Sequence, residues 1–402
     1  MKIYTHPKNG QTRPTREKYE KFSLDNSEVY FYGGSELRPK KASSERDIPE
    51  KSELYFHQNG KVYRQVYPPV GNLSRFKKIY TLPNLAPEQP FNQLATVHFE
   101  GHTGISTGFR GECILTNDGG DTWESISDRL PNVGNSHILY CNIYNDIILL
   151  GGWDNKHYIS QDRGETFSLH DIDNANQRMW NIKRQGDIVI IVGHQLNNVG
   201  RVVRSTDSGL TWQFVETGIT SNISGLHMDA DGTVIITGVN SNISISRDFG
   251  NTWEVVDTGI ESPNNISFFS LTSVVRNAET ETIIICSNDE VITRSLDDGI
   301  TWETINITPN GDFSAVTMLS PSVAVVFGFG QTGNSFISID SGSTWRNINL
   351  TYVIEDFKDQ NPSFSELPVS LNMRGAFLDT TKNKLYVTAI WSVLEAEIFD
   401  LL

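Results

Sequence analysis

The sequence predicts an all-β fold: a seven-bladed β-propeller with a small N-terminal extension rich in short strands and loops. Three observations predict it. One eight-residue pattern recurs six times at nearly constant spacing, hairpin signals recur around each copy, and the chain ahead of the first copy differs in composition.

The pattern is Ser/Thr-x-Asp-x-Gly-x-Thr-Trp/Phe, called the box below. It occupies Thr116 to Trp123, Ser160 to Phe167, Ser205 to Trp212, Ser246 to Trp253, Ser295 to Trp302 and Ser338 to Trp345. Its aspartates, Asp118, Asp162, Asp207, Asp248, Asp297 and Asp340, are 44, 45, 41, 49 and 43 residues apart. That is the period of a four-stranded propeller blade. Turn chemistry accounts for each fixed position. An Asp carboxylate accepts backbone N–H bonds two residues on. Gly supplies the positive φ of a tight turn. The Thr hydroxyl ties the turn to the next strand, and the aromatic starts that strand. The aspartates are therefore expected to be structural and not catalytic.

Strands read directly around each box. In the fourth repeat, Ser224 to Asp229 is an inner strand that ends in an Asp231-Gly232 turn. Thr233 to Gly238, Ile243 to Arg247 and Trp253 to Thr258 follow as second, third and outer strands. After the sixth box, 374–378, 385–390 and 397–401 read as three more strands, the first two joined at Asn383-Lys384. No outer strand follows them. Phe76 to Thr81 resembles the outer strands that begin at Trp212 and Trp253. Residues 76–82 are therefore expected to complete the last blade, closing the ring with both ends of the repeat region and leaving no open sheet edge. The domains are then 1–75, an attachment segment, and 76–402, the propeller.

The N-terminal segment contains no box. Val29 to Tyr32 is a short strand candidate, and Leu54 to Tyr63 a hairpin around Asn59-Gly60. Residues 36–52 read as a charged loop. With two or three strands, this segment buries little core by itself and is expected to pack on the propeller or order on a partner. Charge divides at the same place. Residues 1–76 carry 14 Lys and Arg against 9 Asp and Glu, leaving 19 against 39 for the rest. An acidic body argues against nucleic acid as a partner.

No run of about 18 apolar residues is present, so membrane insertion is not expected. The N-terminus, Met1 to Pro7, lacks the apolar stretch of a signal peptide. The three cysteines, Cys113, Cys141 and Cys286, sit in apolar runs and read as buried thiols. No Cys/His cluster has zinc spacing, so neither metal nor cofactor is expected.

Over about 76–402 the boxes resemble the Asp-box (BNR) repeat family. It includes sialidases, sortilin-type receptors, xyloglucan-degrading glycosidases, photosystem assembly factors and phage tail or fibre proteins. The resemblance implies fold and leaves function open, because the box marks a turn and not a ligand. Sialidases carry an Arg in a Phe/Tyr-Arg-Ile-Pro motif shortly before the first box. Here no arginine lies between Arg75 and Arg110, and Ser44 to Pro49 (SERDIP) lies too far upstream and lacks the aromatic. A sialidase also needs an arginine cluster, a Tyr nucleophile and a Glu partner; Arg110, Arg178 and Arg201 are present without that constellation. Xyloglucan enzymes pair two propellers and need roughly twice this length.

A single Asn-, Ser- and Thr-rich propeller behind a basic head resembles phage virion components. The expected function is a non-enzymatic virion protein of a tailed phage, in tail, baseplate or fibre, acting in assembly or host attachment. It would be assembled in the host cytoplasm. Its expected partners are other virion proteins through residues 1–75 and a host surface glycan or protein receptor on the propeller. The alternatives are a carbohydrate-active, sialidase-like glycosidase and a cellular scaffold or assembly factor.

A ligand would meet the face opposite the boxes, formed by loops from second to third strands and from outer strands to the next blade. Phe109, Arg110, Trp153, Asp154, Lys156 and His157 are expected there, with Arg178, Trp180, His194, Gln195 and Asn240. Aromatic plates beside amide, imidazole and charged groups suit sugar binding. The insertion Thr351 to Asn372 is placed to cap this face.

Overall fold

The first strands of successive blades touch one another all the way round, from Leu94–Glu100 through Ala376–Asp379 and back. They form the innermost layer of a closed ring of seven four-stranded antiparallel sheets. The computed structural model describes residues 93–402 apart from 155, 173–176, 196, 240–241, 259–270, 288–290, 308–312, 329–334, 349, 351–372, 374, 383, 390–391 and 398–402. Before residue 93 it describes the strands Lys2–Tyr4, Phe22–Leu24, Ser27–Val29, Glu53–Gln58, Lys61–Val66 and Lys77–Thr81. The expected position Asn240 and the insertion 351–372 lie outside the described residues.

Six blades run in chain order from innermost to outer strand, starting at Leu94, Ile138, Gln177, Ile223, Leu271 and Phe313. The fourth matches its sequence reading closely, as Ile223–Met228, Val234–Gly238, Ile243–Ser246 and Glu254–Val256. In the seventh blade the third strand is Ser392–Glu397 and not 397–401. Its partner Lys384–Ala389 pairs Ala389 with Ser392, so the third strand starts earlier. Lys77–Thr81 pairs antiparallel with Ser392–Glu397 as the outer strand of that blade.

In the N-terminal segment five strands form one sheet, more than the sequence indicated, in the order Phe22–Leu24, Ser27–Val29, Lys2–Tyr4, Glu53–Gln58, Lys61–Val66. The last two form the hairpin expected around Asn59-Gly60. The strand read at 29–32 falls instead on Ser27–Val29, and residues 30–32 lie outside the described set.

Core lies between blades, because each sheet is apolar on both faces. Second strands such as Ile188–Gln195 and Thr282–Ser287 read as nearly continuous apolar runs with buried Val and Ile throughout. One layer joins Ile105, Leu115 and Ile126 of the first blade to Ile143, Leu150 and Tyr158 of the second. Where the ring closes, Phe99 of the first blade stacks on Tyr386 of the seventh with centroids 4.0 Å apart. All three cysteines are buried, and none is in a disulfide.

The box works somewhat differently from its sequence reading. In the fourth blade the Thr252 N–H donates to Asp248 Oδ1 at 2.8 Å, four residues on and not two. The Thr252 hydroxyl donates to Oδ2 at 2.7 Å, so it ties back to the aspartate and not to the following strand. The Ser246 hydroxyl donates to Oδ1 and accepts from the Gly250 N–H. The same bonds recur at Asp118, Asp162, Asp207, Asp297 and Asp340. The residue before the box glycine also has positive φ, 57° at Phe249 beside 77° at Gly250. Gly250 is required twice over, since a Cβ there would come 2.4 Å from Ile190 Cδ1 of the preceding blade.

That close approach explains the aromatic. Trp253 packs into the layer between blades three and four, and Trp302 into the next one. Its indole N–H returns to the box glycine carbonyl, 3.0 Å in both. Arginines add a second tie between neighbours. Arg129 donates to the Gly164 carbonyl, Arg204 to Phe249, Arg247 to Asp298 and Arg294 to Ser341, each in the box of the following blade.

Candidate functional site: an aromatic and arginine rim on blades one to three

A second glycine, at or near the end of the second strand in each of the first three blades, builds the opposite rim. A Cβ on Gly108 would lie 1.8 Å from the Gln93 carbonyl oxygen, on Gly152 2.1 Å from that of His137, and on Gly193 2.1 Å from that of Arg178. Only a residue without a side chain lets the innermost strand, bulged after its first residues, approach this closely. The following residue is Phe109, Trp153 or His194. The Phe109 and Trp153 N–H groups donate to the Gln93 and His137 carbonyls at 2.8 and 2.9 Å. The fold thus presents a ring at the same rim position in three successive blades.

These rings form one continuous ladder. Phe109 and His137 lie 4.6 Å apart between centroids, and His137 and Trp153 4.3 Å. The Trp180 ring meets Trp153 edge-on at 5.9 Å and stacks on His194 at 5.5 Å. The Arg178 guanidinium carbon lies 4.3 Å from the Trp153 centroid. The ladder residues are half-buried, apart from His194 at 4% exposure.

Hydrogen bonds lock the ladder. An indole N–H only donates, so His194 Nδ1 accepts from Trp180 Nε1 at 2.9 Å and the neutral ring carries its proton on Nε2. The Asn222 Oδ1 lies 2.9 Å from the same nitrogen and accepts from it when the ring is protonated. Burial lowers the His194 pKa; Asn222 opposes the shift and Arg178 adds to it. At the other end, the Arg110 backbone N–H donates to His137 Nδ1 at 3.1 Å. Arg110 is exposed with a φ of 57°.

Not every expected residue joins this rim. His157 is fully buried, its Nδ1 3.0 Å from the Tyr140 hydroxyl, and burial pushes its pKa down to about 3. Every residue of Lys156–Ser160 after Lys156 is buried between blades, so His157 lies away from any ligand. Lys156 donates to the carbonyls of Asn132 and Val133 and serves as a loop tie. Asp154 is exposed and accepts from the Ser136 hydroxyl at 2.8 Å. Gln195 holds the following turn through its main chain, bonded to Val199 and Asn198. The indole surfaces expected to serve as sugar plates are engaged by His137, Arg178 and His194. Sequence reading missed His137, Asn222 and Glu112, whose pKa burial raises. The signal was the recurrent glycine followed by a ring at 108–109, 152–153 and 193–194.

Among the described residues no group of three or more His, Cys, Asp and Glu is placed to hold a metal ion. No helix among them is long and apolar enough to cross a membrane.

No protein-family model and no curated protein matches the sequence. Solved structures do. A structure of YCF48 bound to a D1 peptide aligns at TM-score 0.59 and 17% identity, over 82% of this chain and 97% of that one. The GH74 xyloglucanase from Xanthomonas campestris aligns at 0.56 and 13%, over 80% of this chain and 53% of the enzyme. The WD40 β-propeller domain of Doa1 aligns at 0.55 and 12%, over 81% and 97%. At these identities the likeness is one of fold, and the chain is a seven-bladed β-propeller whose structural neighbours include both binding proteins and glycoside hydrolases.

Proposed function

We propose that this chain is a non-catalytic recognition module that receives a polypeptide segment on the rim of blades one to three. The observation that carries this reading is the locked ladder Phe109–His137–Trp153–Trp180–His194 with Arg178 laid against it. Its rings are engaged with one another and with arginine. What it offers is a rigid relief of ring edges and donors, which suits a peptide better than stacked sugar rings. A propeller of the same fold has been solved with a peptide bound. The finer reading, a tail, baseplate or fibre protein of a tailed phage, is supported by the basic 1–76 segment set against an acidic propeller. It implies docking to other virion proteins through residues 1–75 and a free rim for a host receptor.

Panning a random peptide library on the immobilised chain, with counter-selection on Trp153→Ser, tests the rim. Enriched peptides should bind the native chain and lose at least about tenfold affinity for the variant. Peptides that ignore the substitution, or turnover of sialosides or glucans by the purified protein, would overturn the reading.

A further inference from the structure

The rim has a shortage of acceptors, and the shortage centres on Arg178. Its guanidinium lies over the Trp153 ring, and among the described residues no carboxylate, carbonyl or hydroxyl accepts from its N–H groups. The carboxylate expected nearby, Asp154, is bonded to the Ser136 hydroxyl. Trp153 adds a second unmatched donor, since its indole Nε1 is buried with no acceptor. Trp180 Nε1 is already given to His194. An arginine held flat on a ring, with its five donors in a fixed fork, is prepared to grip a planar two-oxygen acceptor and loses little freedom in doing so.

Resting on the proposed polypeptide-binding role, we infer that Arg178 is the specificity-determining residue of the rim and reads a carboxylate on the bound peptide. The carboxylate docks side-on to the guanidinium with two parallel N–H···O bonds, while the peptide's flanking groups lie along Trp180 and Phe109. The propeller as a whole is strongly acidic. An acidic peptide is therefore repelled elsewhere on the body and held where Arg178 stands unpaired. The carboxylate has two sources, a chain terminus or an Asp/Glu side chain, and both satisfy the same fork.

The test is an NMR titration of the full chain, following the indole N–H signals of Trp153 and Trp180. N-acetylphenylalanine represents the terminal carboxylate, N-acetylaspartyl amide the side-chain carboxylate, and N-acetylphenylalanine amide the uncharged control. At least one acid should shift both signals, and its affinity should exceed the control's by about tenfold or more. The tighter acid identifies the source. Arg178→Lys should weaken acid binding about tenfold, and Arg178→Met should make acid and amide equal, with circular dichroism of both variants unchanged. Equal binding of acid and amide to the native chain, or native acid binding by Arg178→Met, would overturn the assignment. If rim-selected peptides still depend on Trp153 in that case, the binding role stands and only the carboxylate is lost. If neither Trp153→Ser nor Arg178→Met affects any ligand, both readings fall.

Discussion

Replacing Asp248 by alanine removes four contacts at once. The carboxylate accepts from the Ser246 hydroxyl at 2.8 Å, the Asn251 and Thr252 N–H groups at 3.1 and 2.8 Å, and the Thr252 hydroxyl at 2.7 Å. In a dry interior four such losses would unfold the blade. Here Asn251 and Thr252 are exposed, so water replaces most of what is lost. The expected cost is about 1–3 kcal/mol at neutral pH. The pH dependence is the sharper part. The Thr252 N–H bond above all, with the Ser246 and Thr252 hydroxyls, holds the Asp248 pKa down from 3.8 to about 2. A folded-state pKa below the unfolded one contributes stability that is complete above the unfolded value. That stability is lost as pH falls through the folded one. The difference between native and Asp248→Ala protein should therefore be constant from pH 7 to about 5, then shrink toward pH 2. Urea denaturation at a series of pH values measures it directly. A difference independent of pH, or an intact fold that no longer binds its rim ligand, would refute the structural role of the box.

Three further outcomes follow from particular contacts. Gly193→Ala places a Cβ 2.1 Å from the Arg178 carbonyl oxygen; it should cost about 1–3 kcal/mol by overpacking and displace the indole signal of Trp180, whereas normal melting and unchanged NMR signals would disprove the close-approach argument. Arg276, with a side chain 5% exposed, bridges Asp229, Asp231 and Asp298 at 2.7, 2.9 and 2.6 Å. Burial alone would raise Asp229, but bonds from His227 and Arg276 outweigh it and hold its pKa low. Arg276→Met should cost about 3–5 kcal/mol at pH 7 and less near pH 4, where the abandoned carboxylates take up protons; a deficit that grows on acidification would contradict this. Deleting residues 1–82 removes Lys77–Thr81 and bares the edge of Ser392–Glu397, so it should lower the melting temperature and promote aggregation, while deleting 1–70 should leave melting unchanged; equal melting of the two truncations would argue against ring closure by this strand.

The sequence by itself determined the architecture. Six boxes at a fixed period announce a turn that needs its own residue types wherever it occurs, because an Asx-type turn and a positive φ are local requirements. The outer-strand character of 76–81 was legible from its likeness to the outer strands that begin at Trp212 and Trp253. Tertiary structure alone decided the site. Trp180 and His194 lie on different strands and Trp153 just after a third, and nothing local to them shows that they form one ladder with His137. His157 lies one residue from Lys156 and was expected on the same face, yet packing between blades buries it against Tyr140. The availability of Arg178 is likewise a property of the packed rim. Whether a guanidinium is paired depends on which acceptors the neighbouring blades bring within reach. That is set by the glycines that let strands touch, and not by the residues beside the arginine in sequence.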